Sequence, residues 1–474
     1  MLGEDSLFDV IVIGAGPVGE TAAARVVRGG LTAAVIEKRL VGGECNYYGC
    51  IPSKALLWPV ELAAEVYRMP GLALRGPIDT AAVVARRDEA VSHFDDSDYV
   101  DWLRTLPATF VRGHGRLAGP RRVEVTTPDG DVRELRARHA VVVATGSAPG
   151  IPDVPGLREA RPWTNQEATS VRQVPERLVV VGGGPVACEM SQALHALGAK
   201  ETTVLVRGDR LLARAEPFAG ELLARSFGEV GIDVRLGRSL VRVDRPGPGG
   251  PVTVHTDDGV RIEADEILVG TGRRVAVGDI GLAAIGVGAG GPIGVDASMR
   301  ATEVPDGWLY AVGDVNGRNL LTHMGKYQAR VCGDVIVARA GGRPDDLPAF
   351  RATADERGAP QIIFTDPQVC MVGRTESQAR AAGFPVRAVE YDMGAIVGAQ
   401  LQTPGYTGRA KLVVDEDRRV LLGATFVGPL TVDLLHGATV AVTGELTLDQ
   451  LWHAVPSFPT TTEIWLNLLQ EYGM

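Results

Sequence analysis

Short apolar runs that end in glycine set the pattern of this chain. Residues 8–13, FDVIVI, are almost unbroken apolar, which predicts a strand buried on both faces. GAGPVG follows at 14–19, then an apolar-periodic helix through Val27, then AAVIE at 33–37. That order is a strand–helix–strand unit of about 30 residues. It returns at 178–207 as strand LVVVG, turn GGGPVA, helix CEMSQALHALG and strand TTVLV, the one internal repeat in the pattern. Strand-rich stretches at 109–127 and 132–145 lie between the copies, the second ending in AVVVATG. Residues 245–251, RPGPGGP, predict a hairpin tip, and 286–294 a second loop. Residues 341–359 are polar and Pro-rich and predict a linker. Beyond 360, strands QIIF, AKLVV and LLGATFV alternate with helical stretches at 431–443 and 462–472, the mark of an α+β domain.

Length and charge narrow the class. At about 150 residues per domain, 474 residues predict about three domains. Hydrophobic residues at 45% and charged residues at 22% are those of a folded globular chain and exclude wholesale disorder. A net charge of −10 speaks against a nucleic-acid partner, which needs a basic face. No apolar run approaches the ~18 residues of a membrane span. The start MLGEDSLFDV is acidic and enters a strand at once, unlike a signal peptide, so the expected location is cytoplasmic. Five cysteines, at 45, 50, 188, 332 and 370, argue against structural disulfides in so large a chain.

The chemistry lies in three motifs. Gly14, Gly16 and Gly19 follow a strand and open a helix, where glycines permit the turn, the approach of a pyrophosphate and helix–sheet packing. Glu37 ends the second strand, where a carboxylate accepts from ribose hydroxyls. In the second copy Gly182, Gly184 and Ala187 repeat the pattern. No acid ends its second strand; Arg207, Arg210 and Arg214 stand nearby instead. Guanidinium suits a ribose 2′-phosphate, so NADPH is expected over NADH, with NADH as the alternative. The third motif is Cys45 and Cys50 in GGECNYYGCIPSK, where Gly43 closes the Gly-Gly pair. A thiol at a helix N-terminus is thiolate-prone, and two such thiols five apart can close as a redox disulfide. A zinc pair is the rival reading, but no second pair with ligand spacing exists, and no metal site is expected.

Together these motifs resemble the class I FAD-dependent pyridine nucleotide–disulfide oxidoreductases, the group of glutathione, mycothiol and mercuric ion reductases and dihydrolipoamide dehydrogenase. Ala144-Thr145-Gly146, Tyr310-Ala311-Val312-Gly313-Asp314, Phe364-Thr365-Asp366-Pro367 and Val372-Gly373-Arg374-Thr375-Glu376 match further motifs of that family in order. The resemblance covers essentially the whole chain. It implies an α/β fold with two Rossmann-like dinucleotide-binding domains and a C-terminal α+β dimerisation domain. The implied boundaries are 1–148 and 271–346 for the FAD-binding parts, 149–270 for NAD(P)H and 347–474 for dimerisation. It implies FAD on Gly14, Gly16, Gly19, Glu37, Gly43, Thr145, Gly146 and Asp314, with backbone help near Gly115, and the nucleotide site extending to Gly272. Cys50 would lie against the flavin, Cys45 would meet substrate, and Lys54 would pair with Glu189 beside flavin N5. A homodimer reducing a small-molecule acceptor is implied.

Three departures matter. Glu44 and Tyr47 stand where the family has Thr and Asn around the first redox cysteine. Gly-Arg-x-Pro-Asn reads Gly272-Arg273-Arg274-Val275-Ala276. The C-terminal His-Pro-Thr-x-x-Glu reads Phe458-Pro459-Thr460-Thr461-Thr462-Glu463, so a phenyl ring replaces the proton-shuttling imidazole while Glu463 remains. His453 is read as a surface or core residue, and His323 as lying where the family contacts the isoalloxazine. The expectation is an enzyme poor with glutathione or lipoamide. Two electron routes stay open: through Cys45–Cys50 to a disulfide or other electrophile, or directly from flavin to a quinone, dye or metal ion. The end Glu471-Tyr472-Gly473-Met474 lacks the cysteine pair that mercuric reductases often carry, which disfavours mercury.

Overall fold

The first apolar run becomes strand Leu7–Ile13 in the computed structural model, which describes residues 6–247, 249–288 and 290–474. The acidic start at Met1–Asp5, Pro248 of the expected hairpin tip and Ala289 of the expected second loop lie outside the described residues. The chain divides into two units, each assembled from three separate segments.

The first unit comprises the chain up to Pro52, Asp88–Ala148 and Arg273–Asp355. Strand Leu7–Ile13 is flanked by parallel strands Ala33–Glu37 and Val132–Val143. Leu309–Ala311 and Ala108–Arg112 extend the parallel part, and Arg122–Thr126 and His114–Gly119 add an antiparallel edge. Val10, Ile11 and Val12 are completely buried, each contributing roughly 1.5–3 kcal/mol of apolar burial. Helix Pro17–Arg28 packs beside helix Thr322–Ala340, where Arg25 pairs bidentately with Asp334. The strand-rich stretch 109–127 is thus divided among three strands.

The second unit comprises Ser53–Arg87, Pro149–Gly272 and Glu356–Met474. Its parallel sheet orders Ile232–Leu236, Glu201–Val206, Arg177–Val181 and Glu266–Val269. Strands Leu240–Asp244 and Val252–Thr256 pair antiparallel, which bears out a hairpin around 245–251. The C-terminal portion is an antiparallel sheet ordered Pro360–Ile363, Gln368–Gly373, Val420–Gly428, Arg409–Asp415 and Val386–Asp392. Helix Val432–Thr443 covers the second and third of these strands, and Ile464–Tyr472 packs on Val386–Asp392.

Helix Cys50–Arg68 continues through Pro59. A proline within a helix leaves the carbonyl four residues earlier without its partner. Here that carbonyl is Ala55, and it accepts from the Arg86 guanidinium at 3.0 Å. Among the described residues no helix is long and apolar enough to cross a membrane.

Candidate active site

The site starts at the first glycine turn. Gly14 has φ +103°, and a Cβ there would stand 2.4 Å from the Ala144 carbonyl oxygen, so only glycine fits. Helix Pro17–Arg28 begins with proline and has no side-chain cap, which leaves its first-turn N–H groups for an anion. Glu37 is not idle at its strand end: its carboxylate accepts from the Ala15 N–H at 2.9 Å and the Arg39 N–H at 2.7 Å. It therefore holds the turn in shape.

The redox segment grows out of this turn. The Gly42 N–H donates to the Ala15 carbonyl at 2.7 Å. A Cβ on Gly43 would stand 2.8 Å from Gly16 Cα, so the two backbones touch without side chains between them. Helix Gly43–Tyr48 carries Cys45, and Cys50 opens the next helix. Both side chains stand as thiols that hydrogen-bond each other, and Cys50 Sγ lies 3.4 Å from Thr322 Oγ1. The hydrogen bond to Cys50, then burial, pushes the Cys45 thiol far above its ordinary range. Tyr47, in the place of the family's Asn, is buried and donates to the Asp95 carbonyl. Cys188, Cys332 and Cys370 are buried singly, and burial raises all three, Cys370 to about 12.

A polar network stands behind the pair in the same unit. Ser147 Oγ donates to Asp314, Arg273 donates to both the hydroxyl and the carbonyl of Ser147, and Arg273 Nη2 lies 3.2 Å from Glu44. Burial raises the Asp314 carboxyl, against the pull of Ser147 and Arg273. Thr145 Oγ1 donates to the Ala276 carbonyl at 2.8 Å, and the Ala276 N–H returns a bond to the Gly146 carbonyl. Gly115 is buried between Ile13 and Ile36. Burial pushes Glu20, in the first turn after Gly19, up to about 7, with Lys326 opposing and Glu37 adding. Sequence reasoning missed Glu20, Ser147 and Thr322. The last had one available signal, its place immediately before His323.

The second unit repeats the cradle. Gly182 has φ +128°, with the Gly270 carbonyl oxygen 2.5 Å from any Cβ, and Gly184 faces open space. Ala187 is buried on helix Pro185–Ala196, which again starts with proline and lacks a side-chain cap. Arg207 and Arg214 are exposed and make no ion pair among the described residues. Arg210 is half-buried and donates to the Ala213 carbonyl at 3.2 Å. Gly272 accepts from the Gly150 N–H. On the same unit Lys54 Nζ lies 2.8 Å from Glu189, whose side chain is only 9% exposed.

The C-terminal loop is held by Thr460, which donates to the Ser457 carbonyl and bonds Thr462, and it packs on Gly398. Phe458 is 73% exposed. Glu463 Oε2 is enclosed and has no hydrogen-bond partner among the described residues. His453 is exposed at the end of helix Leu448–Trp452.

A dinucleotide fits both cradles: two uncapped helix N-termini stand behind glycines whose missing side chains leave room for phosphate. Comparison with known proteins agrees with this arrangement. Residues 8–340 match the family model described as pyridine nucleotide-disulphide oxidoreductase, and 359–468 match its dimerisation domain. A dihydrolipoyl dehydrogenase of Chlamydia muridarum (strain MoPn / Nigg) is 32% identical over 97% of this chain and 95% of its own. A mercuric reductase of Streptomyces lividans is 32% identical over 96% of this chain and 94% of its own. Among solved structures, a Cu(II) complex of the HOCl-induced flavoprotein disulfide reductase RclA from Escherichia coli superposes with a TM-score of 0.82. It is 22% identical, covering 98% of this chain and 99% of the other.

Proposed function

Because the chain belongs to the pyridine nucleotide–disulphide oxidoreductase family, a family of flavoenzymes, we propose that it passes electrons from NADPH through FAD to a Cys45–Cys50 disulfide and on to a disulfide or other electrophilic acceptor. The observation that carries this reading is the backbone contact of Gly43 with Gly16, which ties the cysteine pair to the first dinucleotide turn. When bound, FAD would take a hydride from nicotinamide and hand an electron pair to the disulfide.

The residues that would hold FAD are the turn at Gly14, Gly16 and Gly19, Glu37 toward a ribose, and Asp314 and Ser147 toward the ribityl chain. Gly43, Gly115, Thr145 and Gly146 line the same cradle. Lys54, fixed by Glu189, would place its charge at the reacting end of the ring. Gly182, Gly184, Ala187 and Gly272 would hold the pyridine nucleotide.

The dithiol steps belong to the chain itself. Cys45, deprotonated, attacks one sulfur of the substrate disulfide; that bond breaks and the departing thiolate takes a proton. Cys50, deprotonated, then attacks Cys45 in the mixed disulfide, re-forming Cys45–Cys50 and releasing the second thiol. The two protons lost by the cysteines end on the two product thiols. The hydrogen bond to Cys50 and burial raise the Cys45 thiol, and a phenyl ring stands where the family has an imidazole, so this route lacks the family's proton shuttle. The missing imidazole favours the second reading: a quinone, dye or metal ion reduced directly from flavin, a route that needs no proton shuttle at the thiols. A screen of NADPH oxidation against disulfides, quinones and metal ions separates the two. The disulfide reading fails if no disulfide is turned over while quinones are.

NADPH is expected to be preferred because Arg207 and Arg214 are exposed and make no ion pair among the described residues, while Arg210 is partly engaged at Ala213. Arg207→Glu should lower kcat/KM for NADPH by about 10- to 100-fold with little change for NADH, measured as steady-state flavin reduction. Equal efficiency of the unaltered enzyme with both nucleotides would contradict the assignment.

A homodimer is expected, with the cytoplasm as the reducing compartment that suits free thiols. Leu401, Val455 and Phe458 of the C-terminal portion are 63%, 85% and 73% exposed, an apolar surface that a second copy would cover. Light scattering should give twice the 50.1 kDa chain mass. A lone chain at all concentrations would refute it.

A further inference from the structure

Lys54 is held from more sides than its carboxylate partner. Its ammonium donates to Glu189 Oε2 at 2.8 Å and to Ser53 Oγ at 3.2 Å, and it stands 4.6 Å from the ring centroid of Phe364. Phe364 also grips the partner, because its backbone N–H donates to Glu189 Oε1 at 3.0 Å. Both carboxylate oxygens are therefore taken, one by the lysine and one by the residue whose ring covers that lysine.

The turn that carries Phe364 has little freedom. Glu189 and Gln192 lie three residues apart on helix Pro185–Ala196, and both are buried. Glu189 accepts the Phe364 N–H, and Gln192 accepts the Asp366 N–H at 2.7 Å. Ser226 donates to the Asp366 carbonyl, and Arg68 pairs with the Asp366 carboxylate. One helix thus fixes the turn, the turn fixes the ring, and the ring faces the ammonium.

We propose that Phe364 is a positioning residue for Lys54, holding the ammonium as a fixed charge through its ring face while leaving one N–H for an incoming polar atom. An ammonium has three N–H donors. Among the described residues Glu189 and Ser53 take two. An aromatic face attracts the cation electrostatically but is a weak acceptor, so the third donor stays available. A carboxylate or carbonyl in the place of Phe364 would consume that donor, and an aliphatic side chain would let the lysine swing among rotamers.

The inference rests on the reading that Lys54 serves a bound flavin, where a fixed cation favours the reduced, more negative ring. The test is the oxidised–reduced equilibrium of the flavin in the holoenzyme, measured by anaerobic titration against a reference dye in four variants. Phe364→Leu and Phe364→Met, two ringless side chains of adequate bulk, should each shift the equilibrium toward oxidised flavin by about three- to tenfold. Phe364→Tyr, which keeps the ring face, should stay within about twofold of the unaltered enzyme. Lys54→Met should shift it at least as far as the ringless variants. If Lys54→Met shifts the equilibrium but the ringless variants do not, or if Tyr falls with Leu and Met, the proposal is overturned while the reading of Lys54 stands. If Lys54→Met shifts nothing, that reading fails and the proposal with it.

Discussion

Phe458→His is expected to speed turnover of small disulfides by up to ~10²-fold, the lower end of what a positioned acid–base group supplies. The argument starts from two residues. In the proposed reading Phe458 takes the position of the family's imidazole, and Glu463 keeps a buried oxygen with no hydrogen-bond partner among the described residues. An imidazole introduced at 458 would meet a carboxylate already available to set its tautomer and raise its basicity. In the proposed reading the family's imidazole serves the interchange thiol, so the gain is expected in the dithiol steps alone. The rate of NADPH-dependent flavin reduction should barely change, because neither residue belongs to the nucleotide turns. Quinone reduction should also stay level, because it bypasses the thiols. Steady-state assays with a panel of small disulfides and one quinone read all three. No gain with any disulfide would mean that the ring belongs to an acceptor pocket of another kind, and the disulfide route would be withdrawn.

Replacing the thiols should have the larger effect in the opposite direction. Cys45→Ser should lower disulfide turnover by at least ~10³-fold, since a hydroxyl neither ionises near neutrality nor forms a mixed disulfide. Cys50→Ser should stop turnover after the first attack, leaving substrate bound to Cys45 as an adduct visible by mass spectrometry. It should also remove the long-wavelength absorbance expected of a thiolate lying against flavin, while Cys45→Ser keeps that band. The reverse pattern of bands would exchange the assigned roles of the two thiols. Neither variant should alter FAD content, because the cradle at Gly14, Gly16 and Glu37 uses neither sulfur.

What could be read from the sequence is what local pattern encodes. The two strand–turn–helix units were legible because Gly14 and Gly182 must adopt positive φ against a neighbouring carbonyl, and such a position selects glycine directly. The cysteine pair was legible because both thiols lie within one short segment. What escaped was set by contacts through space. Thr322 reaches Cys50 across 272 positions of sequence, and no spacing rule joins them. Glu44 read only as a departure from a family pattern; in the structure it lies 3.2 Å from Arg273, an arginine that keeps the family's place. The length of the helix through Pro59 depended on an arginine 27 residues further on, because proline removes a donor that only a neighbour can replace. The upward shift of the Cys45 thiol was hidden for the same reason: helix position is local, whereas its hydrogen bond to the second thiol comes from how two helices meet.

The central claim is that Cys45 and Cys50 accept the electron pair that passes through the flavin. An anaerobic reductive titration with dithionite tests it most directly, followed by alkylation of thiols at each point. The unaltered enzyme should take up two electron pairs, one for the disulfide and one for the flavin, with Cys45 and Cys50 becoming alkylatable as the disulfide's pair enters. The Cys45→Ser, Cys50→Ser double variant should take up the flavin's pair alone. If the unaltered enzyme also stops after one pair, with its Cys45–Cys50 disulfide still closed, the cysteines lie outside the electron path and the account is wrong.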